Sequence, residues 1–195
     1  MKKISLATLV VLITPIAYAK TTNDQMLYQE PTFYVLGGAG NAMFDTEAKG
    51  ATPLGSIASK NDNNQNSYRI AAGKMLRYGA LELGYSDFGD STNTGGTALS
   101  GASFGVLVIA PVGQSPFDLI LRTDAYLLKH QYRGNEETTI PGLGYGIGTR
   151  LNWANGFFVQ AQYEGLFYKD EIKGAAGGEV KTLIHHPSIQ LGIAH

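Results

Sequence analysis

Ala80-Leu81-Glu82-Leu83-Gly84-Tyr85-Ser86-Asp87-Phe88 is the stretch that decides the fold. In an extended chain Leu81, Leu83 and Tyr85 point one way while Glu82, Gly84 and Ser86 point the other, the period of two that a strand imposes. A second extended segment, Ser67 to Leu76, precedes it across Arg77-Tyr78-Gly79, a connection short enough to force an antiparallel hairpin. A greasy row and a polar row that separate at period two suit a wall with lipid on one side and a crowded lumen on the other.

Working outward, the same rhythm recurs along the chain. Phe33 to Phe44 has strand composition, but its two faces are equally apolar and its inward side is unassigned. A long polar connection, Asp45 to Asn66, separates it from the hairpin. After Gly89 to Leu99, a fourth strand runs from Ser100 to Ala110 with Phe104, Val106 and Val108 outward, and stops at Pro111, where a ladder donor would be missing. Pro111 to Pro116 is a short turn. Phe117 to His130 then sets Leu119, Leu121, Thr123, Ala125 and Leu127 against Arg122, Asp124 and Tyr126. Gln131 to Pro141 is the third long connection. Gly142, Gly144, Gly146 and Gly148 follow as an inward row continued by Arg150 and Asn152, facing away from Leu143, Tyr145, Ile147 and Thr149. Trp153 to Gly156 makes the next turn, where Asn155-Gly156 supplies the positive φ of a tight hairpin. Phe157 to Tyr168 places Val159, Ala161, Tyr163 and Phe167 outward and Gln160, Gln162 and Glu164 inward. Lys169 to Lys181 is the fourth long connection, and the last strand runs from about Thr182 to His195.

The count gives an all-β fold, an eight-stranded antiparallel up-and-down transmembrane β-barrel with short turns and both termini at its periplasmic end. A strand of ~10 residues at ~3.3 Å each, tilted ~45°, spans ~23 Å, close to the ~25 Å apolar band of such barrels. No uncharged run after residue 19 approaches the ~20 residues of a membrane helix, and the longest, Phe104 to Val112, is about half that.

Composition agrees. Lys2, Lys3, an apolar stretch from Ile4 to Ile16 and Ala17-Tyr18-Ala19 have the order of a secretory signal, so residues 1–19 are expected to be removed before Lys20. Residues 20–32 are read as a periplasmic lead-in and 33–195 as the barrel domain. Without Lys2 and Lys3, 13 of the 15 basic residues face 16 acidic ones, a mature charge near −3 that excludes nucleic acid as a natural partner. There is no cysteine, so neither disulfides nor thiolate metal sites reinforce the fold.

Tyr68-Arg69-Ile70-Ala71-Ala72-Gly73 through Leu81-Glu82-Leu83-Gly84-Tyr85-Ser86-Asp87-Phe88-Gly89-Asp90 resembles the transmembrane domain of the outer membrane protein A family. Gly142 to Gly148 and Gln162-Tyr163-Glu164 are similar to that family's late strands. The resemblance covers most of the chain in layout but only short segments in residues. It implies a Gram-negative outer-membrane location, insertion by the barrel assembly machinery, and a lumen ion-pair network containing Glu82 and Arg150 that obstructs or gates a narrow path. Larger members carry a peptidoglycan-binding domain after the barrel. Here the sequence ends at His195, so tethering to the cell wall is not expected. Such barrels usually end in an aromatic residue, whereas this sequence ends in Leu191-Gly192-Ile193-Ala194-His195. Either His195 substitutes as a ring or the sequence is clipped.

An eight-stranded barrel is just wide enough for side chains to fill, so inward charges must face one another. Glu82, Arg122, Asp124, Arg150 and Glu164 form the expected lumen set, with Gln160 and Gln162 as inward amides. Tyr78, Tyr145, Trp153 and Tyr163 are expected in the interfacial aromatic girdles. His186 and Ser188 share a face and with a lumen carboxylate resemble an acyl-transfer triad, but a triad is defined by geometry, and these two should point into the bore, with Pro187 between them marking a bulge. Adjacent His185 and His186 project to opposite faces and cannot share a metal. Gly37-Gly38-Ala39-Gly40 lacks the helix and Lys-Ser/Thr of a phosphate loop. The expectation is therefore a non-enzymatic envelope protein without metal or cofactor. Its expected partners are outer-membrane lipids and lipopolysaccharide, with exposed loops open to host or phage ligands. The alternatives are a narrow gated, porin-like pore and a lipid A-modifying enzyme. A soluble lipocalin-like barrel is disfavoured because Leu119, Leu121 and Leu127 share an outward row.

Overall fold

The computed structural model describes residues 32–50, 63–76, 79–91, 97–131, 137–153, 155–172 and 178–195. The expected signal segment, nearly all of the lead-in, Tyr78 and the centres of the four long connections lie outside the described residues. Eight antiparallel strands close on themselves in chain order: β1 (Phe33–Gly50), β2 (Asn63–Leu76), β3 (Gly79–Ser91), β4 (Thr97–Pro111), β5 (Phe117–Gln131), β6 (Glu137–Asn152), β7 (Phe157–Ile172) and β8 (Gly178–Ala194). Closure is completed where β1 pairs with β8; at its foot Phe33 and His195 exchange backbone N–H···O bonds of 3.2 and 2.8 Å.

The register fixes the shape. Following directly paired residues from Tyr34 through Gly73, Glu82, Gly105, Asp124, Gly144, Leu166 and Ile184 leads back to β1 at Phe44, ten residues beyond the start (44 − 34). Eight strands ~4.8 Å apart with that stagger must tilt by about 41°, which gives a wall about 8 Å in radius. Such a bore holds side chains and little else.

The strands run further than the apolar alternation does. β1 continues to Gly50, β6 starts at Glu137 rather than after Pro141, and β7 and β8 remain paired out to Ile172 and Gly178. The expected connections Asp45–Asn66, Gln131–Pro141 and Lys169–Lys181 are thus partly strand. Backbone ladders need no apolar side chain, so hydrophobic pattern alone stops short of the rim. Pro187 was expected to mark a bulge and does not: β8 keeps one register with β7 and with β1 on both sides of it. The irregularity lies instead between Asp87 and Asp90 of β3, where Gly89 adopts φ 80° and its N–H donates to Asp87 Oδ1 at 2.9 Å. At the β6–β7 turn Gly156 takes φ 82°, as the Asn-Gly pair implied.

Outward rows are apolar. On β5 they run Phe117, Leu119, Leu121, Thr123, Ala125 and Leu127, all exposed, before the first charge, Lys129. Ten residues at ~3.3 Å and about 41° of tilt rise about 25 Å, the height of a bilayer's hydrocarbon belt. Three aromatic rings lie over glycines directly opposite them. Tyr34 covers Gly73, Phe158 covers Gly192 inside the bore, and Tyr145 covers Gly165 on the outer wall. A Cβ at Gly165 would stand 2.7 Å from Tyr145 Cζ, so each glycine is the slot its ring needs.

Candidate functional site

Inward residues divide the lumen into three layers. At the end with the short turns, Tyr34, Leu36, Met75, Leu107, Ile109, Ile120 and Phe158 pack as one buried apolar cluster. Near the other end Phe44, Phe88, Leu99, Leu128, Ile140, Leu166, Tyr168 and Ile184 form a second. Between them is a cluster of charged side chains, every one almost fully buried.

Arg69 and Arg122 organise that middle layer. Arg69 Nη2 donates to Glu82 Oε1 at 2.9 Å, Ser103 Oγ at 3.3 Å and Asp124 Oδ1 at 3.5 Å, while Nη1 donates to Tyr126 OH at 2.7 Å and Ser86 Oγ at 3.1 Å. Arg122 forks onto Asp124, Nε to Oδ2 at 2.7 Å and Nη2 to Oδ1 at 2.6 Å. It also reaches Glu82 Oε1 at 3.0 Å and Gln162 Oε1 at 3.0 Å. Glu82 Oε2 accepts from Tyr34 OH at 2.8 Å, and Glu164 Oε1 accepts from Tyr126 OH. Glu164 Oε2 lies 4.0 Å from Arg69 and 3.8 Å from His186 Nδ1. Low dielectric strengthens each of these bonds and equally raises the penalty for any unpaired member.

The structure places all five expected lumen charges, Glu82, Arg122, Asp124, Arg150 and Glu164, inside the bore, together with Gln160 and Gln162. The pairing differs from the one the resemblance implied. Glu82 is held by Arg69 and Arg122, while Arg150 has no carboxylate partner within 4.0 Å among the described residues. Its guanidinium donates to Gln160 Oε1 at 2.9 and 3.2 Å and packs against two rings that meet edge to face, 4.3 Å from the Phe158 centroid and 5.4 Å from that of Tyr34. Asp118, also buried, accepts from Asn152 Nδ2 at 2.7 Å near the short turns.

Arg69 is the residue that sequence reasoning missed. On β2 the inward row mixes Ser67, Arg69, Ala71 and Met75, and the outward row mixes Tyr68, Ile70 and Ala72 with Lys74, so neither face announces itself. The flanking Tyr68 and Ile70, 59% and 65% exposed, were the available signal.

Two tyrosines expected in the girdles have distinct surroundings. Tyr145 stands seven residues before the end of β6 at Asn152, and Tyr163 six after the start of β7 at Phe157, so both sit mid-strand on the outer wall. Tyr145 is there to fill the Gly165 slot. Tyr163 hydrogen-bonds the outward His185, whose Nε2 lies 3.4 Å from Asp45 Oδ2. Trp153 is half-buried at the β6–β7 turn. His186 and Ser188 do point inward, but neither ring nitrogen of His186 has a hydrogen-bond partner, and Ser188 Oγ accepts from Gln190 at 3.2 Å. The hydroxyl and the imidazole are therefore not joined as nucleophile and base. No group of three metal-ligating side chains occurs among the described residues.

No family model matches the chain, and no curated protein matches it in sequence. Among solved structures, the crystal structure of Neisserial surface protein A is 18% identical with a TM-score of 0.53, covering 81% of this chain and 95% of that one. The N-terminal β-barrel domain of Pseudomonas aeruginosa OprF is 11% identical with a TM-score of 0.48, covering 84% and 100%. The first likeness is one of fold, and this chain shares the architecture of the small eight-stranded outer membrane barrels.

Proposed function

We propose that the chain is a non-enzymatic barrel of a Gram-negative outer membrane, closed to solutes, that strengthens the envelope and displays its connecting loops at the cell surface. The single observation that carries this reading is the sequence of environments across the wall. Apolar side chains face outward over about 25 Å, and the ion-pair network of Arg69, Glu82, Arg122, Asp124 and Glu164 lies between two clusters of buried aliphatic and aromatic residues, with Arg150 against the rings of the short-turn cluster and Asp118 buried near the short turns. A conducting path would need a continuous wet bore, and both caps interrupt it. An acyl-transfer site would need its nucleophile facing the acyl chains, whereas Ser188 faces the lumen. The terminal short turns would face the periplasm, and the four opposite connections, polar and glycine-rich, would meet host or phage surfaces.

Cell fractionation with heat-modifiable gel migration tests placement: the folded protein should sediment with outer membranes and migrate differently before and after boiling. A soluble periplasmic product would refute it. Lipid A mass spectrometry with and without the protein should show no change in acylation.

A further inference from the structure

Lys74 is out of place. It lies on the outward row of β2 between Ala72 and Leu76, two residues from the strand's end, and its side chain is exposed. The other charged side chains on outward rows among the described residues, such as Asp87, Lys129, Glu137 and Lys169, cluster toward the opposite end, and Lys129 there has Glu137 at 2.8 Å. Lys74 has no carboxylate partner among the described residues. Its ammonium rests 5.5 Å over the ring of Phe33, directly across the ladder. A cation at this depth in a lipid-facing wall is costly unless its head reaches an interface or an opposite charge.

Beside it runs a groove of about 530 Å³ on the outer wall. Phe33, Val35, Leu81, Leu83 and Phe104 form its sides, and Ala72 lowers its floor. Glu82 borders it through its main chain only, since both carboxylate oxygens are turned into the lumen toward Tyr34, Arg69 and Arg122. The groove is thus apolar along its length and cationic at the mouth nearest the short turns. We propose that it binds one anionic diacyl phospholipid of the leaflet at the short-turn end, an acyl chain lying along Leu81, Leu83 and Phe104 and the phosphate meeting Lys74. The inference rests on the membrane reading above and adds a site to it. Charge complementarity at Lys74 and the apolar lining of the groove select a phospholipid over a soluble anion, which would leave the groove in contact with water.

The test uses the full barrel with Trp153→Phe, to remove the single natural tryptophan, and Phe104→Trp as a reporter in the groove wall. The protein is folded into phosphatidylcholine vesicles containing brominated-chain phosphatidylglycerol or, separately, brominated-chain phosphatidylcholine at the same mole fraction. The anionic lipid is expected to quench about threefold more effectively at low fraction, and Lys74→Gln is expected to bring the ratio to unity. Equal quenching by both lipids in the Lys74 protein, or a preference that survives Lys74→Gln, overturns the site while leaving the membrane barrel intact. No quenching by either lipid would instead overturn the membrane reading itself.

Discussion

Replacing Arg69 by leucine removes the guanidinium that touches most of the lumen network. Glu82 keeps Arg122 at 3.0 Å and Tyr34 at 2.8 Å, and Asp124 keeps both of its Arg122 bonds. Glu164 loses its nearest guanidinium and is left with Tyr126 OH and the His186 ring at 3.8 Å. Breaking a buried pair by removing one partner costs roughly 3–5 kcal/mol. Two of the three carboxylates remain paired, so Arg69→Leu should fall at the lower end, about 3 kcal/mol. Arg150→Leu strands no carboxylate and loses only amide and ring contacts, which sets its cost at about 1–2 kcal/mol. Reversible urea unfolding in phospholipid vesicles, followed by Trp153 emission, measures both. Adding Glu164→Gln to Arg69→Leu should recover part of the loss, since it removes the orphaned charge. A cost below about 1 kcal/mol for Arg69→Leu, or one no larger than that of Arg150→Leu, would refute the assignment of Arg69 as the network's centre.

Planar-bilayer recordings should show negligible current for the native protein and for Glu82→Ala with Arg122→Ala, because both apolar caps survive those changes; a steady conductance in either would contradict the sealed lumen. Leu83→Arg, at mid-height on the outer wall, should destabilise the inserted barrel by about 2–4 kcal/mol, and Phe117→Arg at the short-turn edge by only about 0–1 kcal/mol, as read by urea unfolding in vesicles. Gly192→Ala drives a methyl into the Phe158 ring and should cost about 1–3 kcal/mol in the same assay, whereas Gly37→Ala, whose nearest atoms would be 3.9 Å away, should be close to neutral.

The parts of the fold that could be read in the sequence are those where the two faces differ in chemistry. β3 and β5 set Leu83 and Leu121 against Glu82 and Arg122, and their inward and outward sides followed from period two alone. β1 could not be read that way, because its inward Tyr34, Leu36 and Phe44 are as apolar as its outward Phe33, Val35 and Met43. The lumen of this barrel holds a buried apolar cluster toward each end, so a rule that equates inward with polar fails there. The same mixing hid Arg69, whose inward row runs through Ser67, Ala71 and Met75. The strand ends were invisible for a different reason: past Phe44 and Tyr168 the ladder is maintained by backbone bonds beyond the lipid belt, where side-chain hydrophobicity carries no information. Pairing was also beyond reach. Period two says that Glu82 and Arg150 share the bore, but their positions around and along it depend on the ten-residue stagger, which brings Arg69 and Arg122 to Glu82 and leaves Arg150 against the rings of Tyr34 and Phe158.

Because the chain contains no cysteine, single cysteines can be placed along β5 and labelled with an environment-sensitive fluorophore without background. Labels at Leu119, Leu121 and Leu127 in vesicles should be strongly quenched by brominated acyl chains, and labels at Ile120, Arg122 and Leu128, in variants that still fold, should be shielded from both lipid and aqueous quenchers. An alternating pattern of lipid contact is the expected result. Uniform quenching by an aqueous reagent, or lipid contact at the inward positions, would contradict an apolar wall enclosing a sealed ionic lumen.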